Sequence, residues 1–435
     1  QPTSGSGWSW DITAGKYSTC VRFGGSAASS QRCNAKCWGQ RFMYNAPHRS
    51  DYGSYPRTEF DFAWDKWNAI GRSSGEMGAN LPLLPGNCGQ GSSGGTPDYG
   101  PFEIGESHGC LKVPTSYGQN RLYCFGDKKL KLGTSNPPGD DDRHEVAKYQ
   151  TSAWHNYVSV SIGGTVSCGI KEDGGVGCWG YKDGNNGNRH GPGSDYFHNT
   201  DVDFRGSSGR NATHLHVGWH MTSVVFDDGS LKVIGKCGPG GHRCGYQDNT
   251  WRGSSSTTLG DNLPFITFGD TIALSAASHE NGVHVRLANG TMWSGGTSTE
   301  YTREVRDEPI TDWGQGITTE DIQCGAWHCC ALLSTGGIKC WGINSKGQLG
   351  YGDTSKRAPS ANMPYVDLGA WTYNVKKVVG GKQHTCILTT ANTIKCWGQN
   401  DYGQLGYGHY SDRGGSSNHM GDNLPDVDAY EGQFP

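Results

Sequence analysis

Short stretches of β-branched and aromatic residues, cut by Gly, Asn and Thr, recur along this chain where a helical period would otherwise be sought. Thr385 to Leu388 and Thr393 to Trp397 are two such stretches, and they read as the arms of a hairpin. Three of the loops can be specified. Glu172-Asp173-Gly174, Ser334-Thr335-Gly336 and Thr390-Ala391-Asn392 each end on a residue that tolerates the left-handed backbone a three-residue hairpin loop requires. Closing these loops sets the register, so that Cys168 falls opposite Cys178, Cys330 opposite Cys340 and Cys386 opposite Cys396. Directly opposed residues on antiparallel strands have Cα atoms about 4.5–5.5 Å apart, within the span of a disulfide.

The hairpins belong to a repeat. GAWHCCALLSTGGIKCWGINSKGQLGYG, from Gly325, returns as GKQHTCILTTANTIKCWGQNDYGQLGYG from Gly381, a shift of about 56 residues that marks stacked structural units. Worn copies lead from Gly15 and Cys20 to Cys37-Trp38-Gly39, from Gly105 and Cys110 to Cys124-Phe125-Gly126, and from Gly163 and Cys168 to Cys178-Trp179-Gly180. A fourth copy has Ser223 and Val233 at the two cysteine positions, and a fifth has His284 and Ser294. Where one cysteine is missing its partner is missing too, which argues that the pairs are bonded. An outer signature punctuates the copies: Met77 to Pro82 (MGANLP), Leu259 to Pro264 (LGDNLP), Asn362 to Gly369 (NMPYVDLG) and Met420 to Asp428 (MGDNLPDVD). The expectation is one domain over 1–435 with about seven repeats, near 8–100, 101–150, 151–205, 206–268, 269–315, 316–370 and 371–435.

Composition changes the picture by placing the chain in an oxidising compartment. Sixteen Cys in 435 residues, none in zinc-ribbon CxxC pairs, suit a disulfide framework. Expected pairs are Cys20–Cys37, Cys110–Cys124, Cys168–Cys178, Cys330–Cys340 and Cys386–Cys396. Cys237 and Cys244 flank a Gly-Pro-Gly-Gly loop as a further candidate pair, while Cys33, Cys88, Cys324 and Cys329 stay unassigned. The chain begins at Gln1 and reads as a mature secreted polypeptide, with no apolar run near the roughly 20 residues of a membrane helix. Asn211-Ala212-Thr213 and Asn289-Gly290-Thr291 are candidate glycosylation sequons, the second at a hairpin tip.

The pattern Gly-x-x-His-x-Cys followed by Cys-Trp-Gly-x-Asn-x-x-Gly-Gln-Leu-Gly closely resembles the repeats of the regulator of chromosome condensation family. Gly347-Gln348-Leu349-Gly350 and Gly403-Gln404-Leu405-Gly406 match its most specific tetrapeptide. That resemblance implies an all-β fold, a seven-bladed β-propeller of four-stranded antiparallel blades, here with a long insertion in the first repeat. The cysteine pairs and the MGDNLP signature resemble a secreted branch of the family rather than its nuclear exchange factor. A formal net charge of −4 and the lack of a basic tail argue against nucleic acid as a partner.

No nucleophile with its base emerges. His108, His328 and His384 recur at equivalent places in the repeat, as structural residues do, and no His-Glu-x-x-His or Gly-Lys-Thr/Ser phosphate loop is present. Asp140-Asp141-Asp142, beside His144 and Glu145, matches no calcium-loop spacing and reads as an acidic solvated loop. The expectation is therefore a non-enzyme with no cofactor and no metal. The material that varies between copies is the connecting loops, above all the insertion from Gln40 to Gly100. Tyr44, Tyr52, Tyr55, Trp64 and Trp67 within it, with Trp154 in a later connection, are the candidate interaction residues, suited to a sugar or a protein surface. Ordering a segment such as Gly-Gln-Gly-Ser-Ser-Gly-Gly at 89–95 calls for a neighbour, and the simplest is another copy of the chain. The leading functional expectation is a self-associating extracellular structural glycoprotein, forming a filament or surface assembly. The alternative is a monomeric secreted binding module, lectin-like or a protein inhibitor.

Overall fold

The computed structural model describes residues 9–24, 34–40, 83–84, 102–105, 108–114, 120–126, 157–181, 196–235, 237, 244–246, 252–253, 256–280, 282–297, 304–305, 309–311, 313–314 and 316–429. Tyr44, Tyr52, Tyr55, Trp64, Trp67, Trp154, Cys33, Cys88 and the acidic loop at 140–145 lie outside these residues, as does most of the insertion.

The described residues form an all-β chain whose only helices are single 3-10 turns. The first sheet holds β1 (Ser9–Ala14), β2 (Ser18–Gly24), β3 (Asn34–Gly39) and β4 (Leu83–Leu84). The second holds β5 (Phe102–Ile104), β6 (His108–Pro114) and β7 (Asn120–Gly126). The third holds β8 (Tyr157–Ile162), β9 (Val166–Lys171), β10 (Val176–Tyr181) and β11 (Tyr196–Val202). β12 (Ala212–Val217), β13 (Met221–Phe226) and β14 (Leu231–Gly235) make the fourth. The fifth contains β15 (Ala273–His279), β16 (Gly282–Leu287), β17 (Met292–Thr297), β18 (Glu304–Val305) and β19 (Pro309–Thr311). β20 (Thr319–Cys324), β21 (His328–Leu333) and β22 (Ile338–Gly342) make the sixth, and β23 (Val375–Gly380), β24 (His384–Thr389) and β25 (Ile394–Gly398) the seventh.

The first strands of the sheets pack on one another in chain order: β1 on β5, β5 on β8, β8 on β12, β12 on β15, β15 on β20, β20 on β23, and β23 back on β1. A glycine makes this approach possible at most of the joints. A Cβ on Gly15 would lie 2.3 Å from the carbonyl oxygen of Gly105, and one on Gly105 would lie 2.4 Å from that of Gly163. Gly163 stands in the same relation to Gly218, and Gly325 to Gly381.

The expectation of four-stranded sheets is met only in part: among the described residues the first and third sheets have four strands, the fifth has five and the other four have three. In the fourth, sixth and seventh sheets isolated bridges hold the outer edge. Leu231 pairs with Ile266, and Gly235, Gly342 and Gly398 pair with Arg252, Arg357 and Arg413. Those glycines have φ values of 122°, 112° and 106°, but Gly39, Gly180 and Gly296, in the sheets with further strands, have 102°, 133° and 121°, so the left-handed turn ends the third strand without deciding whether a full fourth strand follows it. The outer signature then crosses this edge with single bonds. Val366 N–H donates to Ile338 C=O at 3.0 Å, and Val427 N–H to Ile394 C=O at 2.8 Å.

That signature also clasps neighbouring sheets. Gly260 donates its N–H to Asp203 C=O at 2.8 Å and Gly421 its own to Asp367 C=O at 3.0 Å, each from a 3-10 turn reading Gly-Asp-Asn.

The cysteines complete the frame. The structure bonds Cys20 to Cys37, Cys168 to Cys178, Cys330 to Cys340, Cys386 to Cys396 and Cys237 to Cys244, and adds a bond between Cys324 and Cys329. Cys110 lies in register with Cys124 and is disulfide-bonded. In the fourth sheet Ser223 faces Val233, and in the fifth His284 faces Ser294. There a hydrogen bond of 2.6 Å between His284 Nδ1 and Ser294 Oγ stands where other sheets have a disulfide.

Candidate functional site: the central channel and its mouth

The first strands surround a cavity of about 280 Å3. Alternation along a strand sends every second side chain inward, so the residues two and four places before each turn glycine face the opening. Thr13, Glu103, Ser161, His216 and Gln323, with the apolar Val379, form one tier, and Ser159, His214 and Lys377 line a deeper one. The wall is thus mostly polar, although the sheets behind it are packed with Val, Ile, Leu and Trp.

Charge is unevenly placed. Lys377 Nζ donates to Asp11 Oδ1 at 2.6 Å, and Arg22 approaches the other Asp11 oxygen at 3.7 Å. Burial works against the Lys377 charge, but Asp11, Glu103 and Asp321 outweigh it and hold its pKa above the ordinary value. Burial pushes Glu103 up to about 7, with Lys377 pulling the other way, and Thr13 Oγ1 donates to it at 3.3 Å. Burial likewise raises Asp321, which accepts from Gln323 Nε2 at 3.0 Å. Opposite them, His214 and His216 are pushed down by burial to about 4 and about 3. Their Nδ1 atoms accept from the backbone N–H groups of Ala276 at 3.3 Å and Ser278 at 3.0 Å, so these neutral imidazoles also join the fourth sheet to the fifth.

At the mouth, the turns after the glycines carry Lys16, Tyr17, Trp219, His220, Glu280, Trp327 and Lys382, all half-buried. Lys16 lies over the rings of Tyr17 and Trp219 at 5.3 and 5.4 Å, and Lys382 over Tyr17 and Trp327 at 5.1 and 5.2 Å. Lys382 also donates to the Tyr17 hydroxyl at 2.8 Å, Trp327 Nε1 donates to Glu280, and Tyr402 packs on Tyr17 with ring centroids 4.6 Å apart. One face of the ring therefore combines aromatic rings, cations and an acid.

The Gly-x-x-His histidines occupy a different place. His328 Nε2 lies 2.8 Å from Thr385 Oγ1, whose hydroxyl donates to Gln348 C=O at 2.8 Å, so the histidine must be the donor to Thr385. Trp397 Nε1 donates to the same Gln348 carbonyl at 3.0 Å. The pattern recurs between the last sheet and the first: His384 Nε2 lies 3.0 Å from Thr19 Oγ1, and Thr19 and Trp38 both donate to Gln404 C=O at 3.0 Å. His108 makes the corresponding 2.6 Å contact to Ser167. The repeated His, Trp and Gln-Leu-Gly residues are thus the joint between adjacent sheets, and burial pushes His328 down to about 3 and His384 to about 4.

The two sequon asparagines are exposed, with Asn211 at the start of the fourth sheet and Asn289 on the loop between β16 and β17, where its Oδ1 accepts from Thr291 N–H at 3.1 Å. The sequence reading names none of the channel residues. Their signal is positional, since they stand two and four places before each turn glycine, and only the ring brings Asp11, Glu103, His214 and Lys377 together.

Comparison with known proteins bears on the repeats. The plant "Ultraviolet-B receptor UVR8" of Arabidopsis thaliana is 36% identical over 98 residues, which are 22% of this chain and 21% of the receptor. The human "Probable E3 ubiquitin-protein ligase HERC3" is 36% identical over 96 residues, 22% of this chain and 9% of the ligase. The chain thus matches about a fifth or less of these relatives' own length. Among solved structures, human WBSCR16 superposes with a TM-score of 0.56 at 17% identity, covering 87% of this chain and 86% of that one, a likeness of fold alone. Residues 320–348 and 375–404 match the model of the regulator of chromosome condensation (RCC1) repeat, so the chain carries RCC1-like repeats.

Proposed function

We propose that this chain is a non-catalytic, secreted seven-bladed β-propeller that self-associates through the mouth of its channel. The observation that carries the reading is the composition of that face. Lys16 and Lys382 lie beside Tyr17, Trp219 and Trp327 with Glu280 among them, so the face holds both partners of cation–π and ion-pair contacts. A surface of that kind is complementary to itself under a two-fold axis. Aromatic anchors are the residues from which binding energy is usually drawn. The disulfide frame supports an oxidising compartment, and the exposure of Asn211 and Asn289 supports glycan attachment. The buried, bonded state of His108, His328 and His384 supports a structural role over a catalytic one.

Sedimentation velocity over a range of protein concentrations tests the proposal. The wild-type protein is expected to associate at micromolar concentration, and Trp219→Ala combined with Trp327→Ala to weaken association at least tenfold while leaving the melting temperature within a few degrees. A wild-type chain that stays monomeric would sink self-association and leave the monomeric binding module, for a glycan or another protein, as the reading to pursue.

A further inference from the structure

The fifth and sixth sheets meet at a group of four residues that bond or pack with one another. Cys324 on β20 is bonded to Cys329 on β21, the residue directly opposite it. Against Cys329 lie His279 and His284, their rings parallel within 7° and 5.3 Å between centroids. One ligand atom from each of His279, His284 and Cys329 falls within 4.8 Å of the other two, and all three residues are buried. Donors around a tetrahedral zinc are separated by roughly 3.5 Å, so a movement of about 1 Å would bring this set to coordination distance.

We propose that the Cys324–Cys329 disulfide is a masked zinc site, which opens on reduction to a Cys2His2 set made of Cys324, Cys329, His279 and His284. Three features favour it. Cys324 is half-buried, an exposure that Cys37 shares, and among the described cysteines it alone lines the central channel, whereas Cys168, Cys178, Cys330, Cys340, Cys386 and Cys396 are fully buried; a reductant entering the channel therefore meets this bond. His284 already has the tautomer of a ligand, and zinc would displace the Trp341 N–H that now occupies its lone pair. Its Nε2 accepts from Trp341 Nε1 at 3.2 Å, and since indole only donates, that nitrogen carries the lone pair. The proton is then on Nδ1, held by Ser294 at 2.6 Å, the outer hydrogen bond that zinc-bound imidazoles generally make. Charge also closes, because two thiolates neutralise the dication and two neutral imidazoles complete the sphere in a buried place.

The chemistry balances with a phosphine as reductant. The phosphine breaks the S–S bond and becomes its oxide by taking oxygen from one water, whose two hydrogens end on the two sulfurs. Zinc binding then releases those two protons. In this state the metal replaces the covalent link between β20 and β21 and ties both strands to the fifth sheet, a connection the disulfide does not make.

The test uses the full chain, reduced with a trialkylphosphine, freed of reductant and supplied with zinc or cobalt. Thiol mapping by mass spectrometry is expected to find Cys324 and Cys329 reduced first. The reduced wild type should retain one more zinc per chain than the oxidised protein, and cobalt should give the visible bands of a tetrahedral thiolate site. His279→Gln and, separately, Cys324→Ser should each lose that extra equivalent, and zinc should raise the melting temperature of the reduced wild type but not of the reduced His279→Gln protein. Equal zinc uptake by reduced wild type and both variants, or no uptake by the reduced wild type, overturns the proposal. The oxidised His279→Gln protein should melt as a folded chain, which separates loss of the site from loss of the fold.

Discussion

Acidifying the protein from pH 7 to pH 5 is expected to lower its melting temperature steeply, because its buried histidines must remain neutral. His328 and His216 are held down to about 3, His384 and His214 to about 4, and His284 well below the ordinary value of 6.5, in each case through burial first. Between those folded values and about 6.5 the unfolded chain binds protons that the folded chain refuses, so stability falls as pH falls. Each histidine in that window removes about 2 kcal/mol at pH 5 relative to neutrality. Glu103 acts in the opposite direction. Its carboxyl is raised from 4.5 to about 7, so acidification relieves the cost of burying its charge and offsets about one histidine. Circular dichroism melts across this range check the sum. A flat profile between pH 7 and pH 5 would mean that the imidazoles are not confined as described.

Removing the residues after Pro425 is the second large effect. Val427 and Ala429 are buried with Trp10, Ile12, Val21 and Trp38 of the first sheet, although they follow the seventh. Val427 N–H bonds Ile394 C=O, and Lys36 Nζ donates to Ala429 C=O at 3.2 Å. Loss of this apolar burial and of two hydrogen bonds should cost about 4 kcal/mol, a fall of many degrees by differential scanning calorimetry. A melting temperature unchanged by the truncation would show that the ring closes without its tail.

How much of this was legible depended on whether a feature is written locally. The hairpins of the third, sixth and seventh repeats were, because a loop of three residues ending in Gly or Asn fixes which residues oppose each other, down to Cys386 and Cys396. The same register persists in the fifth sheet with His284 and Ser294 in place of cysteines. The outer edge was not legible. Gly342 and Gly398 read as parts of Cys-Trp-Gly, and that motif does not tell a single bridge with Arg357 or Arg413 from the full fourth strand that follows Gly180 in the same motif. Cys324 also escaped assignment, since its partner Cys329 adjoins Cys330, which is bonded in the opposite direction. The channel was hidden for a different reason. Asp11 and Lys377 are separated by most of the chain, and they pair because the seventh sheet returns to the first. In the same way His384 yields its meaning only when Thr19 is seen beside it.

The bond set His384, Thr19, Trp38 and Gln404 duplicates the set His328, Thr385, Trp397 and Gln348. The seam between the seventh sheet and the first is therefore chemically equivalent to the seam between the sixth and the seventh. Closing the ring asks for no special chemistry, since the last joint uses the same His, Thr, Trp and Gln groups as the joint before it.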